Sequence, residues 1–128
     1  MKYLFDTDVI VDHFRGVKRI DDSLVEKGAV ISLITYGELM YGAEKSGQKN
    51  KQKELIRSFV EKVGVEIINL DKKTIKVYAE LKAKLEIQGQ RLDEFDLLIA
   101  STALVNELTL VTRNLRHYKR IPNLEIYS

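Results

Sequence analysis

Met1-Lys2-Tyr3-Leu4-Phe5-Asp6 opens the chain, and Thr7 and Asp8 follow it. The stretch reads as a short apolar strand that ends on a carboxylate. A strand that starts with the first residues is expected at the centre of an α/β sheet, and an acid at its carboxyl end lies where open α/β sheets bind ligands and metals. Two more acids, Glu38 and Asp96, are expected at the same edge.

Further strand candidates are Ala29–Leu33, Val65–Leu70, Thr109–Thr112 and Leu124–Tyr127, beside Lys2–Phe5 at the start. Most are rich in Val, Ile and Leu without clean alternation, which suits strands buried on both faces. Helical spacing relates Leu55, Ile56, Phe59, Val60 and Val63, then Ile75, Tyr78, Leu81 and Leu85, then Leu97, Leu98, Ala100, Ser101, Leu104 and Val105. Gly64 and Gly89 are the expected stops of two of these helices. Strands alternating with helices imply right-handed crossovers, so the expected fold is a three-layer α/β/α sandwich around a mostly parallel five-stranded sheet. At 128 residues with 45% hydrophobic content, the whole chain, 1–128, is expected to form a single domain.

With no cysteine, a metal would have to be held by oxygen or by the two histidines, which points to a hard cation and an intracellular setting. No window approaches a membrane span, and Met1 leads into a strand rather than a leader, so a cytoplasmic protein without membrane association is expected. The net charge of +2 is close to neutral, but its distribution is uneven. Lys45–Lys53 carries four lysines and no acid, Lys82–Arg91 is mostly basic, and Arg113–Arg120 has four positive residues plus His117. Each alone reads as a solvated face; three around an acidic site suit a polyanion.

Every acid has a structural explanation to set beside the functional one. Asp6 can cap the helix after the first strand, Thr35-Tyr36-Gly37-Glu38 has capping-box spacing, and Asp93-Glu94-Phe95-Asp96 repeats that spacing with acids. Both explanations predict one location, because the first turns of these helices share an edge of a parallel sheet. A cap needs only one acid, whereas several carboxylates gathered together repel one another unless a cation sits among them. Oxygen ligands with waters completing the shell suit Mg²⁺ or Mn²⁺, which act on phosphate substrates.

LFDTDVIVDHFRG at Leu4–Gly16, SLITYGELMYGAEKS at Ser32–Ser46, LDEFDLLIASTAL at Leu92–Leu104 and LVTRNLRHYKRI at Leu110–Ile121 resemble, in order and spacing, the motifs of PIN-domain ribonucleases of the VapC toxin type. The resemblance implies that Asp6, Glu38 and Asp96 bind the metal and that RNA is cleaved with Mg²⁺, Mn²⁺ serving as a substitute. It implies 3′-hydroxyl and 5′-phosphate ends, a cognate VapB-type antitoxin that blocks the acidic groove, and a homodimer. The family carries Asp or Asn after the strand ending Leu-Val-Thr. Here it is Asn114, which adds no charge, so Thr112 and Asn114 are expected to orient a water or phosphate by hydrogen bonds. A helix N-cap at Asn114 stands as the equal alternative.

Asp8 is placed behind the metal ligands, Asp93 and Asp71 as caps, and Asp12 as an exposed residue. Arg113, Arg116, His117 and Lys119 are candidate RNA contacts, and Tyr118 is expected to pack inward. Phe5-Asp6-Thr7-Asp8-Val9 also looks like the opening of haloacid-dehalogenase-type phosphatases, in which the first acid is a nucleophile, but the later lysine and a cap insertion are not evident. A catalytically silent domain that binds RNA is the other alternative.

Overall fold

The computed structural model describes residues 2–127. Five strands, β1 (Tyr3–Phe5), β2 (Ala29–Ser32), β3 (Glu66–Ile68), β4 (Thr109–Val111) and β5 (Ile126–Tyr127), form one sheet in the order β3-β2-β1-β4-β5. All four pairings are parallel. Seven helices occupy the crossovers: α1 (Thr7–Arg15), α2 (Asp22–Glu26), α3 (Leu33–Lys45), α4 (Lys49–Glu61), α5 (Lys72–Ile87), α6 (Glu94–Val105) and α7 (Leu115–Tyr118).

Strand alternation explains the three layers. Leu4, Val30 and Leu110 point into one apolar cluster with Leu81, Leu85, Leu97, Ile99 and Tyr118. Their neighbours Phe5, Ile31 and Val111 point into another with Ile10, Leu39, Ile56 and Phe59. Successive side chains leave a strand on opposite faces, and here both faces are buried. The first strand is central as expected, with β2 on one side and β4 on the other. The chain moves outward from β1 to β3 and then crosses to β4, so the strand order reverses between β1 and β4. A crevice opens at the carboxyl end of that switch point.

The observed strands are shorter than the apolar runs that announced them. Leu33 belongs to α3 rather than to β2, because the Ser32 hydroxyl accepts from the Thr35 amide at 3.0 Å and starts the helix there. Two positions of the helical stripes face solvent: Ile75 is 45% exposed, and Val63 lies beyond the end of α4 at 46%. Gly64 and Gly89 do follow the helices they were expected to end, with φ of 83° and 69°. After α5, the Gln90 amide donates to the Leu85 carbonyl at 2.8 Å, a reversal that the left-handed Gly89 permits.

Candidate active site

Asp6 follows β1 directly, and its amide still donates to the Val111 carbonyl at 2.9 Å, so the sheet fixes where this acid stands. Its Oδ1 accepts from the Thr7 amide at 2.8 Å, capping α1, and its Oδ2 accepts from the Thr112 hydroxyl at 2.7 Å. Capping and a candidate metal role thus fall on one residue. Asp6 is 4% exposed. Burial raises its pKa, and hydrogen bonds from Thr112, Thr7 and Tyr118 oppose that only in part.

Glu38 does not close the capping box that its spacing suggests. Because Ser32 caps α3, Glu38 sits on the second turn, and its Oε1 accepts from the Thr7 hydroxyl at 2.5 Å. Thr35 Oγ1 lies 3.1 Å from that same hydroxyl. Burial raises the pKa of Glu38, and the Thr7 bond counters it.

Asp93 caps α6, its carboxylate accepting from the Phe95 amide at 3.2 Å. That leaves Asp96, one turn in, free of capping. Its Oδ1 accepts from the Tyr118 hydroxyl at 3.2 Å, and its Oδ2 is 4.0 Å from His117 Nδ1. Burial and the Asp6 charge hold its pKa up. The Tyr118 phenol is itself pushed up by burial and by both carboxylates.

The β4–α7 loop completes the site. Thr112 is 1% exposed, so it steadies Asp6 from below rather than meeting substrate, and its hydroxyl also accepts from the Asn114 amide at 3.0 Å. Asn114 occupies the N-cap position of α7, yet its side chain makes no capping hydrogen bond and is free to face a ligand. Asp6, Asp8, Asp12, Glu38, Asp96, Arg113 and Asn114 line one open cleft of about 330 Å³. The structure therefore brings together four of the five predicted catalytic residues in this cleft and sets the fifth, Thr112, beneath Asp6.

One expectation is corrected here. Asp12 is buried, not exposed, and Arg113 Nε pairs with its Oδ2 at 3.0 Å while lying 3.8 Å from Asp8 Oδ2. Arg113 lines the cleft with its side chain still half exposed. Arg116, His117 and Lys119 are exposed, and His117 Nδ1 lies 4.0 Å from Asp96. The other basic stretches are partly neutralised locally, Lys49 and Lys53 by Glu44 and Lys82 by Glu94. His13 is a partly buried helix residue, its Nδ1 accepting from the Ile20 amide at 3.0 Å, and Asp71 caps α5 through the Thr74 amide at 2.8 Å.

Asp8, expected behind the metal ligands, carries a distinctive signature. Both its carboxylate oxygens are buried without a hydrogen-bond partner. Burial and the neighbouring Asp6 charge push its pKa up to about 6, although Arg113 and nearby backbone amides pull the other way. Among the described residues no three acids or histidines stand ready-made in metal-ligand geometry, since each of Asp6, Glu38 and Asp96 is turned onto a hydroxyl. The donor set nonetheless fits a hard divalent cation: all oxygen, mutually repelling, with a buried carboxylate that lacks a hydrogen-bond partner beside it. Asp6, Glu38 and Asp96 are the residues that would hold it.

A prediction follows from Asp8. Its folded pKa lies above the ordinary carboxylate value, so it favours folding at low pH and that contribution is lost as pH rises from about 4 through about 6. Asp8→Asn in chelator removes the buried charge and should therefore gain about 1–2 kcal/mol at pH 7.5, less than the raised pKa alone implies because the Arg113 attraction is lost with it. The gain should shrink towards zero at pH 4.5, as read by urea unfolding at both pH values. An equal gain at both would show that the charge of Asp8 is not its cause.

Parallel strands about a switch point, with acids at their carboxyl ends, define an α/β protein with a ligand site at that edge, and one family of that fold matches. The PIN domain family model matches residues 3–124, and the chain belongs to the PIN-domain family, in its VapC ribonuclease group. Ribonuclease VapC2 of Rickettsia felis is 36% identical over 97% of this chain and 95% of its own. The tRNA(fMet)-specific endonuclease VapC of Salmonella typhimurium is 29% identical over 98% of this chain and 96% of its own. The crystal structure of VapBC2 from Rickettsia felis bound to a promoter DNA fragment superposes with a TM-score of 0.90 at 33% identity, covering 99% of this chain and 98% of that one. Nucleases of this group generally depend on a divalent metal. Among the described residues no helix is long and apolar enough to cross a membrane.

Proposed function

We propose that residues 1–128 act as a single-domain, Mg²⁺-dependent endoribonuclease, the toxin of a VapBC-type pair, with Mn²⁺ able to replace Mg²⁺. The observation that carries this reading is the gathering of Asp6, Glu38, Asp96 and Asn114 on one cleft at the sheet's switch point. A divalent cation in such a cleft supplies Lewis acidity to a phosphoryl oxygen and lowers the pKa of a bound water. The three acids would hold it, with Thr7 and Thr112 orienting Glu38 and Asp6. The Asn114 amide offers both a donor and an acceptor to a phosphate oxygen or the attacking water. Arg116, His117 and Lys119 attract the RNA backbone towards the acids. The products carry 3′-hydroxyl and 5′-phosphate ends.

The partners that go with this reading are a cognate VapB-type antitoxin and a second copy of the chain, in the cytoplasm. The relatives support the antitoxin, since the Rickettsia felis neighbour is a VapBC complex. The phosphatase alternative finds less support. No lysine is among the described residues that line the cleft, where such an enzyme would need one.

The test is to incubate the chain with a transfer RNA and a single-stranded RNA in Mg²⁺, Mn²⁺ and chelator, and to map any cut ends. The Salmonella typhimurium relative makes initiator tRNA the first structured substrate to try. Cleavage in both metals, none in chelator, and 5′-phosphate ends are expected. Cutting that persists in chelator overturns the metal role. RNA bound equally with and without metal and never cut identifies a silent binder.

A further inference from the structure

Each candidate metal acid leans on a hydroxyl from another part of the chain. Thr112 donates to Asp6 at 2.7 Å, Thr7 to Glu38 at 2.5 Å and Tyr118 to Asp96 at 3.2 Å. Thr7 stands between two acids just after β1, and Thr112 directly follows β4. Tyr118 is different: it reaches the site from inside the core. Its side chain is 0% exposed and packs with Leu97, Ala100 and Ile121. A phenylalanine would fill that apolar space equally well, so packing does not account for the hydroxyl. A buried phenol needs a partner, and this one finds the carboxylate of Asp96 at 3.2 Å, with Asp6, already held by Thr112 and Thr7, also within its reach.

The position of the ring explains what the bond does. Tyr118 closes α7, and its amide donates to the Asn114 carbonyl at 3.3 Å, so one residue anchors the Asn114 loop to the core and touches Asp96. Asp96 lies in the first turn of α6, where its short side chain is repelled by Asp6 and has no capping bond to restrain it. With Oδ1 held by Tyr118, Oδ2 is the oxygen left without a hydrogen bond, with His117 Nδ1 4.0 Å away. A neutral donor orients the carboxylate without supplying a competing positive charge, which Lys or Arg in the same place would do.

We infer that Tyr118 is a positioning residue of the metal site, its buried hydroxyl setting the orientation in which Asp96 meets the cation. This rests on the metal reading of the cleft. Partners that orient a metal ligand from behind are worth about 10–100-fold in metal affinity. Tyr118→Phe removes the hydroxyl and keeps the ring, so the fold survives and the orientation does not.

The experiment measures Mn²⁺ binding to wild type and Tyr118→Phe by the electron paramagnetic resonance of the free ion, together with thermal melts in chelator. The expected result is a Kd weakened about 10–100-fold with little change in the melt. In RNA cleavage the half-saturating metal concentration rises by the same factor, and kcat at saturating metal falls much less. A Kd within twofold of wild type overturns the inference. So does a variant that melts far below wild type in chelator, because the hydroxyl would then be a core bond rather than a positioning one. If wild type itself binds no Mn²⁺, the metal reading fails first and takes this inference with it.

Discussion

Asp96→Asn is expected to reduce metal-supported RNA cleavage by about 10³-fold or more while leaving the fold intact. Partners one shell removed from a metal cost about 10–100-fold, and removing a single transition-state donor costs about 10²–10³-fold, so losing a ligand itself should exceed the former and reach the latter. The substitution is nearly isosteric. The carbonyl of the introduced amide can still accept from Tyr118, and removing one of several mutually repelling acids relieves the folded chain rather than straining it. The melt in chelator should therefore be unchanged or raised, and single-turnover cleavage of a labelled RNA should show the loss. The contrast is Asp71→Asn. Asp71 also follows a strand and precedes a helix, but its carboxylate is spent on Thr74, so that variant should keep its activity and lose only some stability. Two aspartates at helix starts would then give opposite outcomes, and equal activity losses in both would contradict the assignment.

Metal should also reverse how stability depends on pH. Burial raises the pKa values of Asp6, Asp8, Glu38 and Asp96, each also feeling a neighbouring acid or hydrogen bond, and Asp8 reaches about 6. Groups whose folded pKa is raised bind protons more tightly when folded, so the stability they contribute is present at low pH and lost as pH rises. Surface acids such as Asp21, Asp71, Glu44 and Glu54 have lowered values and act in the opposite sense, but they are ionised by about pH 5. Between pH 5 and 7.5 the one opposing group among the described residues is His13, whose burial lowers its pKa and favours folding as pH rises. The four cleft acids outnumber it, and the metal-free chain should melt at lower temperature as pH rises. Mn²⁺ at a hundredfold its Kd adds about 2.7 kcal/mol, on the order of 10 °C for a chain of this size. Because the ion competes with protons for the same oxygens, the gain should grow with pH. Melts at pH 5, 6 and 7.5, with chelator and with Mn²⁺, check both slopes. Parallel slopes would mean that the ion binds away from these acids.

Much of this was legible in the sequence, for local reasons. The apolar run ending at Asp6 announced a central strand and its acid because a carboxyl-end residue needs no distant information to be placed. Asp93 and Asp71 declared themselves as caps through the spacing that follows them. Glu38 was located correctly for an incorrect local reason, since Leu33 and Ile34 continue the apolar run of β2 and hide the true start of the helix at Ser32. What stayed hidden depends on pairing across the chain. Nothing near Asp12 indicates that Arg113 will cover it, and nothing near Tyr118 indicates that its hydroxyl will meet Asp96. Thr7 lay in plain view between two acids, and its reach to Glu38 on another helix could be seen only once the crossover was built.

The most direct test of the site is a crystal of the chain soaked in Mn²⁺ and measured at a wavelength where the ion scatters anomalously. The account predicts a strong peak at about 2.1–2.2 Å from carboxylate oxygens of Asp6, Glu38 and Asp96. A saturating soak that places the ion elsewhere, or leaves the cleft without a peak, would contradict it.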